Sequence, residues 1–316
     1  MGEKISKEFK SFFKMVSGNE GERCHYPTRL DTYGCGCYHD CQFCYARSLL
    51  DFRKLWNPSD PAIANINRIR HTIRAKLKPG EIVRLGGMTD CFQPLEKTNR
   101  ITLQTIKALN EMGVGYLIVT KSGLVADKEY IEAMDKNLAH IQISITGTNA
   151  ELSRQIEPGA PIPEIRIKAV EKLQAEGFDV QVRLSPYIPE MVDMDIINAI
   201  KCDKILVEFL RVNTWISKWL TSLNIGVNLE DYSLKSAGYR HLPLEKKISL
   251  LKKVKGFKEI SVCEDVPEHQ LYWDAAANHN PADCCNLKGV FPMGDRDEAI
   301  KRYEESLQLN LFNNEF

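Results

Sequence analysis

Short runs of apolar, often β-branched residues alternate along the chain with amphipathic segments of helical period. The runs with the length and composition of buried strands are IVRLGG (82–87), GYLIVTK (115–121), HIQISIT (140–146), DVQVRLS (179–185), KILVEFL (204–210) and EISVC (259–263). Between them the pattern predicts helices at about 98–112, 127–138 and 164–176, the last ending at Gly177. This alternation is typical of a parallel sheet covered on both faces.

A short strand before Cys37 would bring the predicted sheet to about six to seven parallel strands. A complete eight-stranded (β/α) barrel has more strands, so the sequence predicts an α/β fold built as a partial barrel. We expect three parts, with the Cys-containing extension last: an N-terminal helical extension over 1–30, the barrel over 31–263 and a C-terminal capping extension over 264–316.

Polar and unusual residues collect where the predicted strands end. They are Gly86, Gly87, Asp90, Cys91, Lys121, Ser144, Arg183, Ser185, Glu208 and Cys263. Because ligand sites in parallel α/β folds lie at the carboxyl ends of the strands, we expect these residues to surround one site.

Composition and charge narrow the class of protein. The 316 residues are 43% hydrophobic and 27% charged, which is close to globular averages and excludes disordered, collagen-like and coiled-coil proteins. The 42 basic residues balance the 42 acidic ones, so nucleic-acid binding would need local patches. Apolar runs are too short for a membrane span, and the first residues do not resemble a secretory signal. We expect a cytoplasmic protein with no membrane partner.

One local basic patch that could bind nucleic acid lies before the strand at 82–87. Residues 61–80 contain no acidic residue, and their cations are Arg68, Arg70, Arg74, Lys76 and Lys78. On the helix predicted there, the buried stripe would be Ile66, Ile69, Ile73 and Leu77. The helix over Arg68–Lys78 is therefore a candidate nucleic-acid surface, since arginine suits phosphate recognition. A solvated amphipathic helix is the alternative.

Half of the ten cysteines lie within 21 positions, at Cys24, Cys35, Cys37, Cys41 and Cys44. The segment YGCGCYHDCQFCYAR contains the last three as C-x3-C-x2-C. Thiolates bind soft metals and iron–sulfur clusters, and three ligands on a four-iron cluster leave one iron open for chemistry. The alternative is a closed zinc site that takes Cys24 or Cys35 as its fourth ligand, in a non-catalytic nucleic-acid-binding module.

The motif, with Phe43 before its last cysteine, resembles the cysteine loop of the radical S-adenosylmethionine (SAM) superfamily. The segments TDCFQPLE (89–96), IEPGAPIPEIRIKAV (156–170) and RLSPYIP (183–189) are similar to its spore photoproduct lyase-like branch. The resemblance covers about Tyr33 to Pro189. It implies a partial barrel of the radical SAM type, a [4Fe–4S] cluster on Cys37, Cys41 and Cys44, and bound SAM, with Phe43 beside these cofactors.

The resemblance also implies roles for residues at the strand ends. Gly86 and Gly87 are similar to the paired glycines whose backbone receives the SAM amino group, and Lys121 to a lysine near the SAM carboxylate. Ser144 would lie by the ribose or carboxylate, and Arg183 could pair with the carboxylate through two hydrogen bonds. The structural alternatives are a strand-end turn for the glycines and solvated surface cations for Lys121 and Arg183.

The implied reaction needs an external one-electron reductant of the flavodoxin or ferredoxin type. Reductive cleavage of SAM gives a 5′-deoxyadenosyl radical that removes hydrogen from the substrate. Similarity to the lyase-like branch favours a nucleobase or nucleotide substrate, either in thymine repair of DNA or in base modification. Radical modification of a peptide or small metabolite, with an auxiliary iron–sulfur cluster, is the alternative.

The remaining cysteines give two further hypotheses. Cys91 lies in the region from which spore photoproduct lyase returns hydrogen to a product radical, although here it follows Asp90; a buried structural thiol is the alternative. Cys263, Cys284 and Cys285 could hold a second iron–sulfur cluster, contact substrate or be reduced core thiols. Adjacent cysteines rarely both reach one small metal centre, which counts against the cluster.

Overall fold

The computed structural model describes residues 11–13, 24, 26–281 and 283–287. The strands are β1 (Phe12–Phe13), β2 (Arg29–Leu30), β3 (Tyr33–Gly34), β4 (Ala62–Ile63), β5 (Ile82–Leu85), β6 (Gly115–Thr120), β7 (Ala139–Ile145), β8 (Asp179–Tyr187), β9 (Lys204–Phe209), β10 (Leu234–Ser236), β11 (Tyr239–His241) and β12 (Glu259–Val262). The helices are α1 (Tyr45–Leu50), α2 (Ile66–Lys76), α3 (Glu96–Asn99), α4 (Ile101–Glu111), α5 (Lys128–Ala133), α6 (Ala150–Ile156), α7 (Pro163–Ala175), α8 (Met194–Asn198), α9 (Thr214–Leu223), α10 (Leu244–Leu251) and α11 (Pro267–Ala276).

Over the residues that the structure describes, the main sheet has eight strands in the order β1-β2-β5-β6-β7-β8-β9-β12. Of the strand pairs described in this sheet, only β1–β2 is antiparallel, so seven strands run parallel, as the sequence predicts. The pairs β3–β4 and β10–β11 form two small antiparallel sheets. The predicted α/β partial barrel is confirmed.

The two faces of this sheet differ in polarity. One face carries apolar side chains such as Val83, Ile118 and Val182, which share the main core with buried residues of α2, α4 and α7. The opposite face, here called the site face, carries Gln142, Gln181 and other polar residues that strand register places side by side. The helices bury the first face, whereas the site face carries these polar residues together with a smaller apolar cluster that includes Leu117 and Leu206.

The predicted helical extension over 1–30 needs correction where the structure describes it, because β1 and β2 both join the main sheet. Residues 1–10 and 14–23 lie outside the described residues, as do 288–316 of the predicted capping extension. Within the described ranges, no helix is both long and apolar enough to cross a membrane.

Candidate active site

Residues 37–44, here called the cysteine loop, carry the three thiols of the motif into one cleft. Cys37 and Cys41 are buried, and Cys44 is half-buried at the N-cap of α1. There its Sγ accepts a hydrogen bond from the Arg47 backbone N–H at 3.4 Å. The loop closes on itself through hydrogen bonds from the Asp40 N–H to the Cys37 carbonyl (3.1 Å) and from the Cys44 N–H to the Cys41 carbonyl (3.2 Å). The three predicted cluster ligands are thus brought together.

Burial dominates the electrostatics of these thiols. It raises the pKa of Cys37 to about 12, raises that of Cys41 well above its usual range and also raises that of Cys44. Asp90 adds to the increase at Cys37, and Glu157 adds to it at Cys41. Thiolates in this loop need a cationic partner, which fits a donor set built for a metal cluster.

Neither cysteine considered as the fourth ligand of a closed zinc site lines the cleft with the cysteine loop. Cys35 does not line the cleft, and Cys24 packs against a different group of cysteines. Among the described residues, no three cysteine sulfurs lie within 4.8 Å of one another. Within the described ranges, the cleft wall thus offers three cysteine thiols, those of Cys37, Cys41 and Cys44.

The cleft encloses about 1040 Å³, counted together with the open solvent at its mouth. Besides the cysteine loop, its walls include all the residues predicted to contact the cofactors, namely Phe43, Gly86, Gly87, Lys121, Ser144 and Arg183. They lie in the loop, directly after β5 and β6, near the end of β7 and midway along β8. The cleft therefore lies towards the carboxyl edge of the parallel strands, as expected for parallel α/β folds.

The turn after β5 is fixed by Asp31, which the sequence reasoning missed. The Asp31 carboxylate accepts hydrogen bonds from the backbone N–H groups of Gly87 (2.8 Å), Met88 (3.1 Å) and Thr89 (3.3 Å). Gly86 has φ +84°, and a Cβ there would lie 2.7 Å from the Val119 carbonyl oxygen, so only glycine fits. The paired glycines therefore form a turn that also faces the cleft.

Burial raises the pKa of Asp31 to about 6, although the three N–H donors and Arg29 lower it. Beyond this turn, the Gly87 carbonyl accepts a hydrogen bond from the Tyr45 hydroxyl, which comes from α1. The glycine turn and the cysteine loop are thus joined by direct contact.

Asp90 connects three parts of the site. It accepts hydrogen bonds from the Thr120 hydroxyl and the Lys121 backbone N–H, both at 2.7 Å, and its Oδ2 lies 3.1 Å from Nε2 of His39. Burial would raise its pKa, but His39 and these donors lower it to about 2. From the sequence, Asp90 is predicted to lie at a strand end, but no role is predicted for it. His39 is not among the predicted site residues.

The side chain of Lys121 lies in a second buried network. Its Nζ is 3.6 Å from Oε1 of Glu157, and Glu157 also pairs with Arg166 at 2.6 Å and accepts a hydrogen bond from Thr146 at 3.0 Å. Burial opposes ionisation, but Arg166 and Lys121 lower the pKa of Glu157. The Sγ of Cys41 lies 4.0 Å from the same carboxylate. Lys121 is thus held beside the cysteine loop rather than on the solvated surface.

Arg183 is buried and engaged within the site. Its guanidinium donates to Gln142 Oε1 at 2.7 Å and to the carboxylate of Glu208, which also accepts from the Ser185 hydroxyl at 2.7 Å. Burial would lower its pKa, but Glu208 raises it. Ser144 is the register partner of Arg183 on β7. A carboxylate ligand would have to compete with Glu208 for Arg183.

Cys91 lies beneath the glycine turn and not in the wall of the cleft. Its side chain has no exposed surface and belongs to the main core, and burial raises the pKa of its thiol well above the usual range. The Thr102 hydroxyl donates to its carbonyl at 2.6 Å. This placement favours the structural alternative; a hydrogen-donor role stays a prediction.

The basic helix predicted over Arg68–Lys78 corresponds to α2, which ends at Lys76. Of its predicted stripe, Ile69, Ile73 and Leu77 are buried and Ile66 is half-buried, while Arg74 and Lys78 are exposed. None of the residues 66–78 lines the cleft. The structure therefore places this patch apart from the cysteine loop.

Residues 32–202 match the family model described as the Radical SAM superfamily. An uncharacterized protein of Mycobacterium tuberculosis is 30% identical over 166 residues, covering 50% of this chain and 49% of its own length. One of Methanocaldococcus jannaschii is 29% identical over 166 residues, covering 51% of this chain and 61% of its own. The matched region thus spans only part of these relatives.

Among solved structures, the chain is similar to spore photoproduct lyase complexed with dinucleoside spore photoproduct. The TM-score is 0.56, with 14% sequence identity over 79% of this chain and 75% of the lyase. At this identity, the likeness concerns the fold.

Proposed function

Because this protein belongs to the radical SAM superfamily, we propose that it is an enzyme that cleaves SAM reductively and acts on a nucleobase or nucleotide. One observation carries the proposal: the three thiols of the cysteine loop and the residues at the ends of four parallel strands line the same cleft. When bound, a [4Fe–4S] cluster with SAM supplies a carbon radical able to remove hydrogen from an unactivated C–H bond.

The chain's own residues would hold and orient these groups. Cys37, Cys41 and Cys44 would ligate the cluster and leave one iron for SAM. Lys121 and Ser144, at neighbouring strand ends, are suited to the carboxylate and hydroxyl groups of SAM. An external one-electron reductant, of the flavodoxin or ferredoxin type, would supply the electron.

The cleft wall supports a substrate with a base and a phosphate. Arg211 lines the cleft, lies over the ring of Tyr45 at 5.0 Å from its centroid, and pairs with Asp265 at 2.8 Å. An arginine beside an aromatic ring suits contacts with a base and a phosphate, and a bound phosphate would compete with Asp265 for the guanidinium. The fold likeness to a lyase bound to a dinucleoside lesion agrees with a thymine-repair reaction or with modification of a base.

The test is anaerobic reconstitution followed by measurement of 5′-deoxyadenosine with dithionite as reductant. We expect UV-irradiated thymine oligonucleotides, intact oligonucleotides or nucleosides to raise its yield by roughly tenfold over SAM alone. Cys41→Ala should abolish the product, whereas Cys35→Ala, a matched thiol outside the cleft, should retain it. Stoichiometric zinc without iron contradicts the enzyme, and stimulation only by peptides or small metabolites contradicts the substrate class.

We further propose that the basic helix contributes to oligonucleotide binding. Arg74→Ala together with Arg70→Ala should weaken binding of a DNA oligonucleotide uniformly across sequences and reduce its salt dependence, because phosphate contacts release counterions. Lys128→Ala, which removes an exposed lysine of α5, is the matched control. Unchanged affinity and salt slope in the double variant would remove this surface from the proposal.

A further inference from the structure

Four cysteines from three distant segments meet on the site face. Cys24 precedes β2, Cys263 follows β12, and Cys284 and Cys285 lie on the described segment 283–287. They pack into one apolar cluster with neighbours that include Tyr26, Leu117 and Leu206. All four are free thiols. We call them the four-thiol group.

The thiols of this group interact with one another. Cys24, Cys263, Cys284 and Cys285 share one packed cluster. Cys284 interacts with Cys263 and Cys285, and Cys24 interacts with the same two residues. The sequence pointed to three of these residues, but Cys24 is far from them along the chain. Apolar packing alone gives no reason for four reduced cysteines to lie together. A metal centre does, because it needs several thiol ligands in one place.

The group lies directly behind the cleft. Val119 lines the cleft and also packs against the apolar cluster that contains the group. Arg183 likewise lines the cleft, and its charge interacts with Cys263 and Cys285. Val119 and Arg183 therefore connect the group to the cleft.

The segment that carries the adjacent cysteines is held by specific bonds. Asp283 accepts hydrogen bonds from the Tyr26 hydroxyl and from two backbone N–H groups of its own segment, at 3.0 and 3.1 Å. Lys204 donates to the Asn286 carbonyl at 3.0 Å, and the Asn286 side chain donates to Ser261 at 2.8 Å. Both strand residues lie on the site face, so the segment is a fixed part of this surface.

The charges around the group suit anionic sulfur. Arg84 interacts with Cys24 and Cys285, and Arg183 with Cys285 and Cys263. Within the part of the chain that the structure describes, Nε of Arg84 is buried without a hydrogen-bond partner. Two arginines beside four buried thiols supply positive charge that would balance the negative charge of a thiolate-bound cluster.

We propose that Cys24, Cys263, Cys284 and Cys285 bind a second iron–sulfur cluster. A tetrahedral zinc ion with Zn–S bonds of about 2.3 Å needs all its sulfurs about 3.8 Å apart. In the described ranges, no three cysteine sulfurs lie within 4.8 Å of one another, and this holds both for the four-thiol group and for the cysteine loop. A cluster offers separate irons to adjacent cysteines, which removes the objection that both cannot reach one ion.

The test uses the full chain with the first site removed by Cys37→Ala, Cys41→Ala and Cys44→Ala together. After anaerobic reconstitution with iron and sulfide, this triple variant should retain about four irons per chain, with the Mössbauer spectrum of a thiolate-ligated cluster. Adding Cys284→Ser should reduce the iron to below about one per chain. Adding Cys202→Ser should leave it unchanged, since that thiol lies in the main core, where it donates to backbone carbonyls at 3.5 and 3.4 Å, outside both groups.

A parallel variant separates metal loss from misfolding. Cys24 is half-buried, so Cys24→Ser in the triple variant should also lose iron while its far-UV circular dichroism stays unchanged. A triple variant that binds no iron, that binds one zinc instead, or that keeps its iron in both serine variants would overturn the second cluster. The experiment measures the metal content of a variant that lacks the first cluster site. Its outcome therefore does not depend on whether the wild-type protein cleaves SAM.

Discussion

Nε2 of His39 lies 3.1 Å from Oδ2 of Asp90, and Nδ1 of the same ring lies 3.1 Å from the Gly159 carbonyl oxygen. One buried imidazole therefore connects the cysteine loop, the loop after β5 and the loop after α6. A Cβ at Gly159 would lie 1.7 Å from the Tyr38 carbonyl oxygen, so these loops approach too closely for any other residue. The position of the cluster ligands depends on these contacts.

His39→Ala should destabilise the protein and reduce iron retention although all cysteines remain. The change leaves the buried Asp90 carboxylate without its ring partner, which costs on the order of 2–4 kcal/mol. Urea unfolding of metal-free protein and iron content after reconstitution measure the two effects. His71→Ala, an exposed histidine on α2, should change stability by less than about 0.5 kcal/mol. Full iron content and unchanged stability in His39→Ala would show that the ring is dispensable.

Glu157→Gln should be among the more damaging single changes in the site. Arg166 is buried with 1% of its side chain exposed, and loss of its carboxylate partner leaves an unpaired buried charge, at a cost of about 3–5 kcal/mol. Glu132→Gln removes a carboxylate from an exposed pair with Lys128 and should cost under about 0.5 kcal/mol. Chemical denaturation measures the free energy of unfolding of both variants. An equal loss in Glu157→Gln and Glu132→Gln would contradict the role of the buried network in stability.

Asp31 should make stability depend on pH. Its pKa is about 6 in the folded protein against an ordinary 3.8, so the folded state binds this proton more tightly. Its contribution is therefore full below pH 4 and is lost as pH rises through 6. The unfolding free energy of wild type relative to Asp31→Asn should fall by on the order of 2–3 kcal/mol between pH 4 and pH 8. Urea titrations at both pH values measure it, and a constant difference would be inconsistent with the raised pKa.

Glu208→Gln tests whether Arg183 binds the carboxylate of SAM. Because Glu208 competes for the guanidinium, removing its charge should tighten SAM binding by roughly 3- to 10-fold, about 0.7–1.4 kcal/mol. Arg183→Lys should weaken binding, since lysine cannot make two parallel hydrogen bonds. Equilibrium dialysis of SAM with reconstituted protein gives both values. No change in either variant would assign Arg183 a structural role only.

Cys91→Ala should lower stability by about 1–3 kcal/mol because it empties part of a fully buried position. SAM cleavage and product identity should survive at low temperature, because the thiol does not line the cleft. Mass spectrometry of the reaction products distinguishes the two roles. Normal SAM cleavage with diverted products would restore the hydrogen-donor hypothesis.

The features that could be predicted from the sequence are those set by the spacing of residues close together in the chain. The C-x3-C-x2-C motif keeps its thiols within eight residues, so any tight loop brings them together. The helix predicted at 164–176 is found at Pro163–Ala175, because proline starts it and Gly177 follows it. The helix predicted from 98 starts only at Ile101, since Arg100 adopts a left-handed φ of 54° between two helices. Such a break has no clear sequence signal in a non-glycine residue.

Tertiary structure decided how these parts are joined and which charges are paired. The two-residue strand β2 is too short to show periodicity, yet it starts the parallel sheet within a segment predicted to be helical. The pairing of Arg183 with Glu208 depends on the neighbouring positions of β8 and β9. The placement of Cys24 and Cys284 against one cluster depends on segments at opposite ends of the chain. Sequence patterns record the local period of burial, whereas contacts between distant segments follow only from how the strands and loops pack.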